Sequence, residues 1–421
     1  MFSALFFFRT RIKERASVLC LFFLPCCSLQ AQTLEHYISS AVQNSPLLAD
    51  NANRVRSLAY DSMRLRATYR PLVNFSSYND YAPIVNGVGY DRNITNGGIY
   101  SALVGSTYQL IGKQNIGNQY QSIGLEGKRI ELEGKLSQRE LEKNITDQYV
   151  KAFGEQQLLG NTAALLAAME KENALLKQLA EKGVYRETDY LAFLVNYRQQ
   201  QLAYGQQKFQ LQNDILLLNY ISGIIDTAFV TLQEPALQKK NLLAQTQTLQ
   251  YRQFFLDSLQ LKNAFEQVKY SYKPRLNLFG DAGLMSTMFS TAANNFGISA
   301  GFSVSFPIYD GRQRQMRYGK IKLSENTRLN YLQFFQKQYT QRTLQLQQQI
   351  NANASLISQA EEKLKLSSAI IDAQRKMMAT GDAHIADYIL SLNSFITAQT
   401  TLLQLKTDQL QLINEFNYLN Y

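Results

Sequence analysis

Apolar and small residues alternate without a break from Phe296 to Phe306. Phe296, Ile298, Ala300, Phe302, Val304 and Phe306 share one side of an extended chain, and Gly297, Ser299, Gly301, Ser303 and Ser305 share the other. A period of two predicts a strand with one apolar face. Weaker alternation recurs over Tyr100, Ala102, Val104, Ser106, Tyr108 and Leu110, and over Leu276, Leu278, Ala282 and Leu284. Two strand pairs follow, at about 71–110 and 274–307, with turns at Asn86-Gly87 and Asn96-Gly97-Gly98. Such a strand suits a lipid-facing barrel wall around a wet lumen and, taken alone, equally suits a soluble sandwich with one buried face.

Elsewhere the period is helical. Ile385, Tyr388, Leu392, Phe395, Leu402, Ile413 and Phe416 follow a three-four spacing broken by Gln399, Lys406 and Gln409. Tyr190, Leu194, Tyr197, Tyr204, Leu211, Ile215 and Leu218 do the same, broken by Gln201 and Lys208. Seams of this kind fit coiled-coil packing beside a hydrated space, or an ordinary antiparallel bundle. After the first residues, proline occurs only at 46, 71, 83, 235, 274 and 307. Proline breaks helix interiors, so the proline-free spans accommodate very long helices, from about Gly112 to Lys182 and from about Arg312 to Thr380. Each is about 105 Å long at ~1.5 Å per residue. A further helix is expected from Thr33 to about Ala67, interrupted at Pro46.

The two halves repeat. Lys182-Gly183-Val184-Tyr185-Arg186-Glu187-Thr188-Asp189-Tyr190 and Thr380-Gly381-Asp382-Ala383-His384-Ile385-Ala386-Asp387-Tyr388 align Gly, Asp and Tyr at an offset of 198, which also matches Asn219-Tyr220 with Asn417-Tyr418. Each half reads helix, two strands, long helix, tip, returning helix, and a duplicated helical-hairpin tip explains the match. The expected organisation is a leader at 1–31, a first repeat at 32–220, a linker at 221–245 forming a small side structure, and a second repeat at 246–421.

Composition narrows the class. Arg9, Arg11, Lys13 and Arg15 precede an apolar run from Ala16 to Cys27, which reads as an export signal cleaved after Ala31. A lipid anchor on Cys26 or Cys27 is the rival; Pro25 and Cys26 stand where a small residue is expected. The three cysteines all lie in this segment, so the remaining chain has no thiol chemistry. The net charge of +10 falls to +7 once the four basic residues and Glu14 are removed, and no Lys/Arg block resembles a nucleic-acid footprint. No later apolar run reaches the length of a membrane helix, which leaves a β-barrel open. With two histidines, His36 and His384, and no phosphate loop, metal cluster or nucleophile motif, no catalytic residue, cofactor or metal is expected.

The order of elements resembles the TolC-type outer-membrane efflux proteins, across the whole chain after the leader. The carriers are Gly301 to Phe306 with Pro307-Ile308-Tyr309-Asp310-Gly311 at a strand-to-helix junction, Lys273-Pro274 opening the second strand pair, and Gly183 with Asp189 and Gly381 with Asp387 at the tips. The resemblance implies a mainly α fold with a membrane β-barrel. A homotrimer would share one 12-stranded barrel, four strands per chain, and a helical tube through the periplasm. It implies an exit duct receiving cargo from an inner-membrane pump through a periplasmic adaptor (membrane fusion) protein, with no chemistry of its own. A periplasmic coiled-coil adaptor without a pore is the alternative.

The resemblance also assigns sites. Asp387 matches the acidic ring of the closed periplasmic aperture; on position alone it reads as an acid favoured at a helix N-terminus. Leu390 replaces a second acid. Asp189 supports the inner hairpin, but its basic partner is replaced by Ala383, for which His384, Arg375 or Lys182 would substitute. Gly183, Val184, Tyr185, Gly381, Asp382 and Ala383 form the turns an adaptor would grip. Phe306, Pro307 and Gly311 form the strand-to-helix junction.

Overall fold

A computed structural model describes residues 32–419 apart from 92, 95, 96 and 383. The leader reading, the turn at Asn96 and the role given to Ala383 therefore lie outside the described residues.

Helix α1 (Leu34–Asn44) is capped by Thr33, whose hydroxyl accepts the His36 N–H at 3.3 Å. Helix α2 (Pro46–Thr68) begins on Pro46, with Ser45 as its cap. Pro46 thus marks the expected break between a short and a longer helix, because its missing N–H costs nothing at the first helical position. Strands β1 (Leu72–Tyr81) and β2 (Gly98–Leu110) follow. Helix α3 (Lys113–Glu181) has 69 residues and returns as α4 (Glu187–Ser222). Beyond Gly223 the chain is irregular, with a single 3-10 turn at Gln245–Gln247, until α5 (Leu249–Ser271). Strands β3 (Arg275–Ser286) and β4 (Phe296–Ser305), helix α6 (Gln313–Thr380; 68 residues) and helix α7 (Ile385–Leu419) complete it.

The strands form one antiparallel sheet in the order β1-β2-β3-β4. Its register decides which side each residue takes, since directly paired residues share a face. Phe75 pairs with Val104, Val104 with Ala282, and Ala282 with Ile298. The three alternating runs seen in the sequence thus fall on a single face, joined by Val73 and Phe75 of β1. The opposite face carries Asn74, Ser76, Thr107, Asn277, Asp281, Ser299 and Ser303, where Ser299 donates to Asp281 at 2.6 Å. Leu72, Ile99, Leu103, Phe279 and Met285 are apolar exceptions there; the Phe279 ring covers Gly301, where a Cβ would meet it at 2.6 Å. Residues of the apolar face are exposed along β4, including Phe296, Ile298, Phe302 and Val304. The outer edges of β1 and β4 have no strand beside them among the described residues.

Helices α3 and α6 act as rods against which the shorter helices lie. Both α1 and α2 pack on α3, as does α4 from the other direction, and α1 meets the end of α4. At that meeting Asn44 donates to the carbonyls of Ser222 and Gly223. The linker crosses the same level. Leu232 bridges Gln32 in parallel, and its N–H and C=O are both taken by the Gln156 amide. The repeated asparagines fasten it: Asn219 donates to Asp226 O, and Asn417 receives the Lys240 N–H and donates to Gln238 O, each at 2.8 Å.

A buried cluster marks this level, with Tyr37 edge-on to Tyr149 among Leu34, Ile145, Leu218 and Leu232. The Tyr149 hydroxyl lies 2.7 Å from Gln233 O and 2.9 Å from Gln32 O. The Tyr37 hydroxyl is buried and finds no partner among the described residues. Burial pushes both phenols up to about 12. The fold holds the protonated forms, so their stabilisation is complete below pH 10 and is lost as pH rises from 10 towards 12. Tyr37→Phe removes an unsatisfied hydroxyl. It is expected to leave stability at pH 7 within about 1 kcal/mol of the parent or higher, and to shift alkaline unfolding, followed by circular dichroism, to higher pH.

Candidate functional site

The two long helices end in the same way. Gly183 takes φ 74° and Gly381 φ 87°, in the left-handed region that glycine enters without steric cost. Val184 N–H reaches back to Leu179 O at 2.9 Å, and Asp382 N–H to Met377 O at 2.9 Å. Gly183 and Gly381 close the shorter bonds to Ala180 and Met378. Both ends are Schellman motifs, in which one left-handed residue reverses the chain and satisfies the last carbonyls.

The turns touch. A Cβ on Gly381 would meet the Val184 side chain at 2.9 Å. Tyr185 turns inward, is buried, and donates its hydroxyl to Met378 O at 3.0 Å. Tyr185 stays within the turn but its side chain is buried: a phenol needs a partner for its hydroxyl when buried, and the neighbouring hairpin supplies it. The accessible parts of the turns are Gly183, Val184 and Asp382, with Gly381 half-buried.

Behind the turns, four helices share a core containing Met169, Leu176, Phe193, Ile371, Met378, Ile385, Tyr388 and Leu392, with Phe193 stacked on Tyr388 at 6.3 Å. One charge enters it. Glu172 has only 9% of its side chain exposed and receives Arg375 Nε at 2.6 Å. The fully buried Tyr388 donates its hydroxyl to the other carboxylate oxygen. Arg375 is 35% exposed and also pairs with Asp372 at 3.4 Å. Glu172 belongs to α3, Arg375 to α6 and Tyr388 to α7, so this triad ties the first hairpin to the second. Burial, followed by its bond to Glu172, pushes the Tyr388 phenol well above its ordinary value.

Of the three cations considered as substitutes for the missing partner, Arg375 is therefore committed to Glu172. His384 and Lys182 are exposed and form no ion pair among the described residues. Asp189 is half-buried in the first turn of α4, and its N–H bonds Arg186 O at 3.0 Å. Asp387 stands in the first turn of α7 with its N–H on His384 O at 3.0 Å; its side chain is exposed and unpaired among the described residues. Leu390, one turn on, is exposed on the same face. The junction residues Phe306, Pro307 and Gly311 lead from β4 into α6, with Gly311 at φ 63° and Arg312 at φ 65°. Arg314 N–H bonds the Asp310 carboxylate at 2.8 Å across this bend.

Sequence reasoning missed Glu172. A signal existed: Leu165, Met169, Glu172 and Leu176 are spaced four, three and four, so the acid occupies a seam position. If Glu172 couples the hairpins, Glu172→Gln lowers stability by about 2 kcal/mol, below the 3–5 of a fully buried pair because Arg375 is partly solvated. Tyr388→Phe costs about 1 kcal/mol. The double mutant should lose less than the sum in thermal unfolding; additive losses would show that the two contacts act separately.

Neither a protein-family model nor a curated protein matches this sequence. Solved structures do match the fold. CusC, studied for transmembrane channel formation, superposes with a TM-score of 0.75 and 13% identity, covering 92% of each chain. VceC, an outer membrane protein from Vibrio cholerae, gives 0.74 and 12%, covering 92% of this chain and 96% of that one. The CmeC outer membrane channel of Campylobacter jejuni gives 0.73 and 12%, covering 92% and 85%. Long helical hairpins joined to a four-stranded antiparallel sheet give this chain the fold of those outer-membrane channels.

Proposed function

We propose that the protein is the outer-membrane exit duct of a tripartite efflux or type I secretion system, acting as a homotrimer. The observation that carries this reading is the sheet: its apolar face is exposed, its other face is largely polar, and both edges are open. Four strands cannot close a barrel, and open edges are not tolerated in lipid. Three copies supply twelve strands, within the range of known membrane barrels. Val195, Leu202, Phe209 and Leu216 repeat every seven residues along α4 and are exposed, which supports lateral packing of the hairpins between copies.

On this reading the sheet spans the outer membrane and the rods extend into the periplasm, where the Gly183 and Gly381 turns face away from the membrane. A periplasmic adaptor grips the accessible turn residues, and an inner-membrane pump delivers the cargo. Asp387 and Leu390 face the narrowed aperture, three copies of each around the axis. Three carboxylates repel one another and attract cations; with Leu390 in place of a second acid, only one such ring forms. Asp189 and the Glu172–Arg375–Tyr388 triad hold the inner hairpin from behind. The duct itself needs no cofactor and catalyses no reaction.

A periplasmic adaptor without a pore is disfavoured by the exposed apolar sheet face, which water would not support at this size. Fractionation separates the two: the duct is recovered in detergent-extracted outer membrane, the adaptor in the soluble periplasm. In planar bilayers Asp387→Ala is expected to raise single-channel conductance or weaken block by divalent cations. No change in either measurement removes Asp387 from the aperture.

A further inference from the structure

The pairing of the strands brings the helix-side ends of all four to one level, where Leu110 opposes Leu276 and Arg275 opposes Ser305. Six cations surround that level: Arg70, Lys113, Lys273, Arg312 and Arg314, together with Arg275, which by its pairing with Ser305 shares the polar face of the sheet. All are exposed, and none forms an ion pair among the described residues. The single acid between them, Asp310, is occupied by the Tyr272 hydroxyl and the Arg314 N–H. Along the rods cations are mixed: Arg54, Arg129, Lys143, Arg328 and Arg342 each have a carboxylate within 4 Å, whereas Lys128, Lys171 and Lys320 form no ion pair among the described residues. The opposite end of the sheet is different again. Its two loops, 82–97 and 287–295, contain one acid, Asp91, and one cation, Arg92. Of the two ends of the sheet, the helix-side end thus carries the concentration of cations without an ion pair.

Beside these cations the chain presents Phe306, Ile308 and Tyr309, the last two 90% and 82% exposed. Exposed aromatic and aliphatic side chains next to long cationic ones are what the boundary between acyl chains and headgroups favours. Rings settle at that depth, and Lys and Arg stems lie along apolar surface while their charges reach the phosphates. Clustered Lys and Arg beside a membrane segment attract anionic headgroups, an effect confined to about a Debye length.

We propose that this rim binds the phosphate headgroups of anionic phospholipids in the periplasm-facing leaflet, and that this contact sets the depth of the sheet in the membrane. The proposal rests on the membrane-spanning reading above. It gives the two ends of the sheet different partners: the cationic rim holds charged headgroups, while the loop end has no comparable set of cations for them.

The test uses the full-length protein reconstituted into bilayer discs of phosphatidylcholine mixed equally with phosphatidylglycerol, followed by native mass spectrometry of the released protein. Retained lipid is expected to favour phosphatidylglycerol roughly fivefold or more, and that preference should fall as salt rises from about 50 to 500 mM. The salt titration needs only the parent protein. The variant Arg70→Gln, Lys273→Gln, Arg312→Gln, Arg314→Gln should bring the preference close to one. Equal retention of both lipids, or a preference indifferent to salt, overturns the proposal. Displacement by millimolar inorganic phosphate would reassign the rim to free anions and also overturn it. So would unchanged lipid retention in the variant with a shift in anion-over-cation selectivity across planar bilayers, because the cations would then face the lumen. A parent protein that enters neither neutral nor mixed discs defeats the membrane reading itself; one that enters both without preference defeats only this proposal.

Discussion

Every backbone N–H and C=O along the outer edges of β1 and β4 needs a partner. In water that need is modest; in hydrocarbon an unpaired backbone group costs several kcal/mol. The sheet of this protein has an apolar face and two open edges, so its backbone chemistry and its side chains make opposite demands. The face seeks lipid and the edges cannot enter it alone. On the proposed reading, closure by further copies of the same chain would satisfy both. The rods continue directly from the strands, so such a closure would also arrange the rods around the same axis.

The far end is held by a different balance. Two glycines let both hairpins reverse within one turn, and Val184 resting on Gly381 leaves little space between the turns. The hairpins are then coupled by polar chemistry, the Tyr185 hydroxyl on Met378 O and the Glu172 carboxylate shared by Arg375 and Tyr388. A carboxylate in an apolar core is stable only with its donors in place. Separating the hairpins leaves Glu172 buried and short of partners until water reaches it. That favours one arrangement over intermediate ones, a selectivity that another leucine on the seam would not provide.

Much of the architecture was legible because it follows from strict local rules. A chain free of proline from 84 to 234 and after 307 permits helices about 100 Å long, and lone glycines at 183 and 381 mark where they end. Alternation from Phe296 to Phe306 fixed a strand and its two faces. Strand β1 was less legible, since Ser77 and Asn79 continue the face begun by Val73 and Phe75; pairing with β2 assigns their side, not their own polarity. The break at Pro46 between a short helix and a longer one was legible too, since proline is tolerated at a helix start and not in a helix interior. The site was legible only in part. The internal repeat singles out Asp387 and Asp189, but their roles come from the family resemblance and not from the spacing. Glu172 and Arg375 lie 203 residues apart in sequence, and no local pattern joins them. Tyr185 was legible as a turn residue, whereas its burial is decided by the second hairpin.

The buried residues do not form one core. They gather in a cluster behind the turns, another around Tyr37 and Tyr149, and a smaller one at Leu346, Ile350 and Phe416. Between them the helices touch along narrow seams interrupted by glutamine and lysine. A molecule built this way has no single melting unit. Its cooperativity is divided along its length, so the cluster behind the turns can loosen while the one around Tyr149 stays native. A disturbance at the turns need not then travel past the middle of the rods.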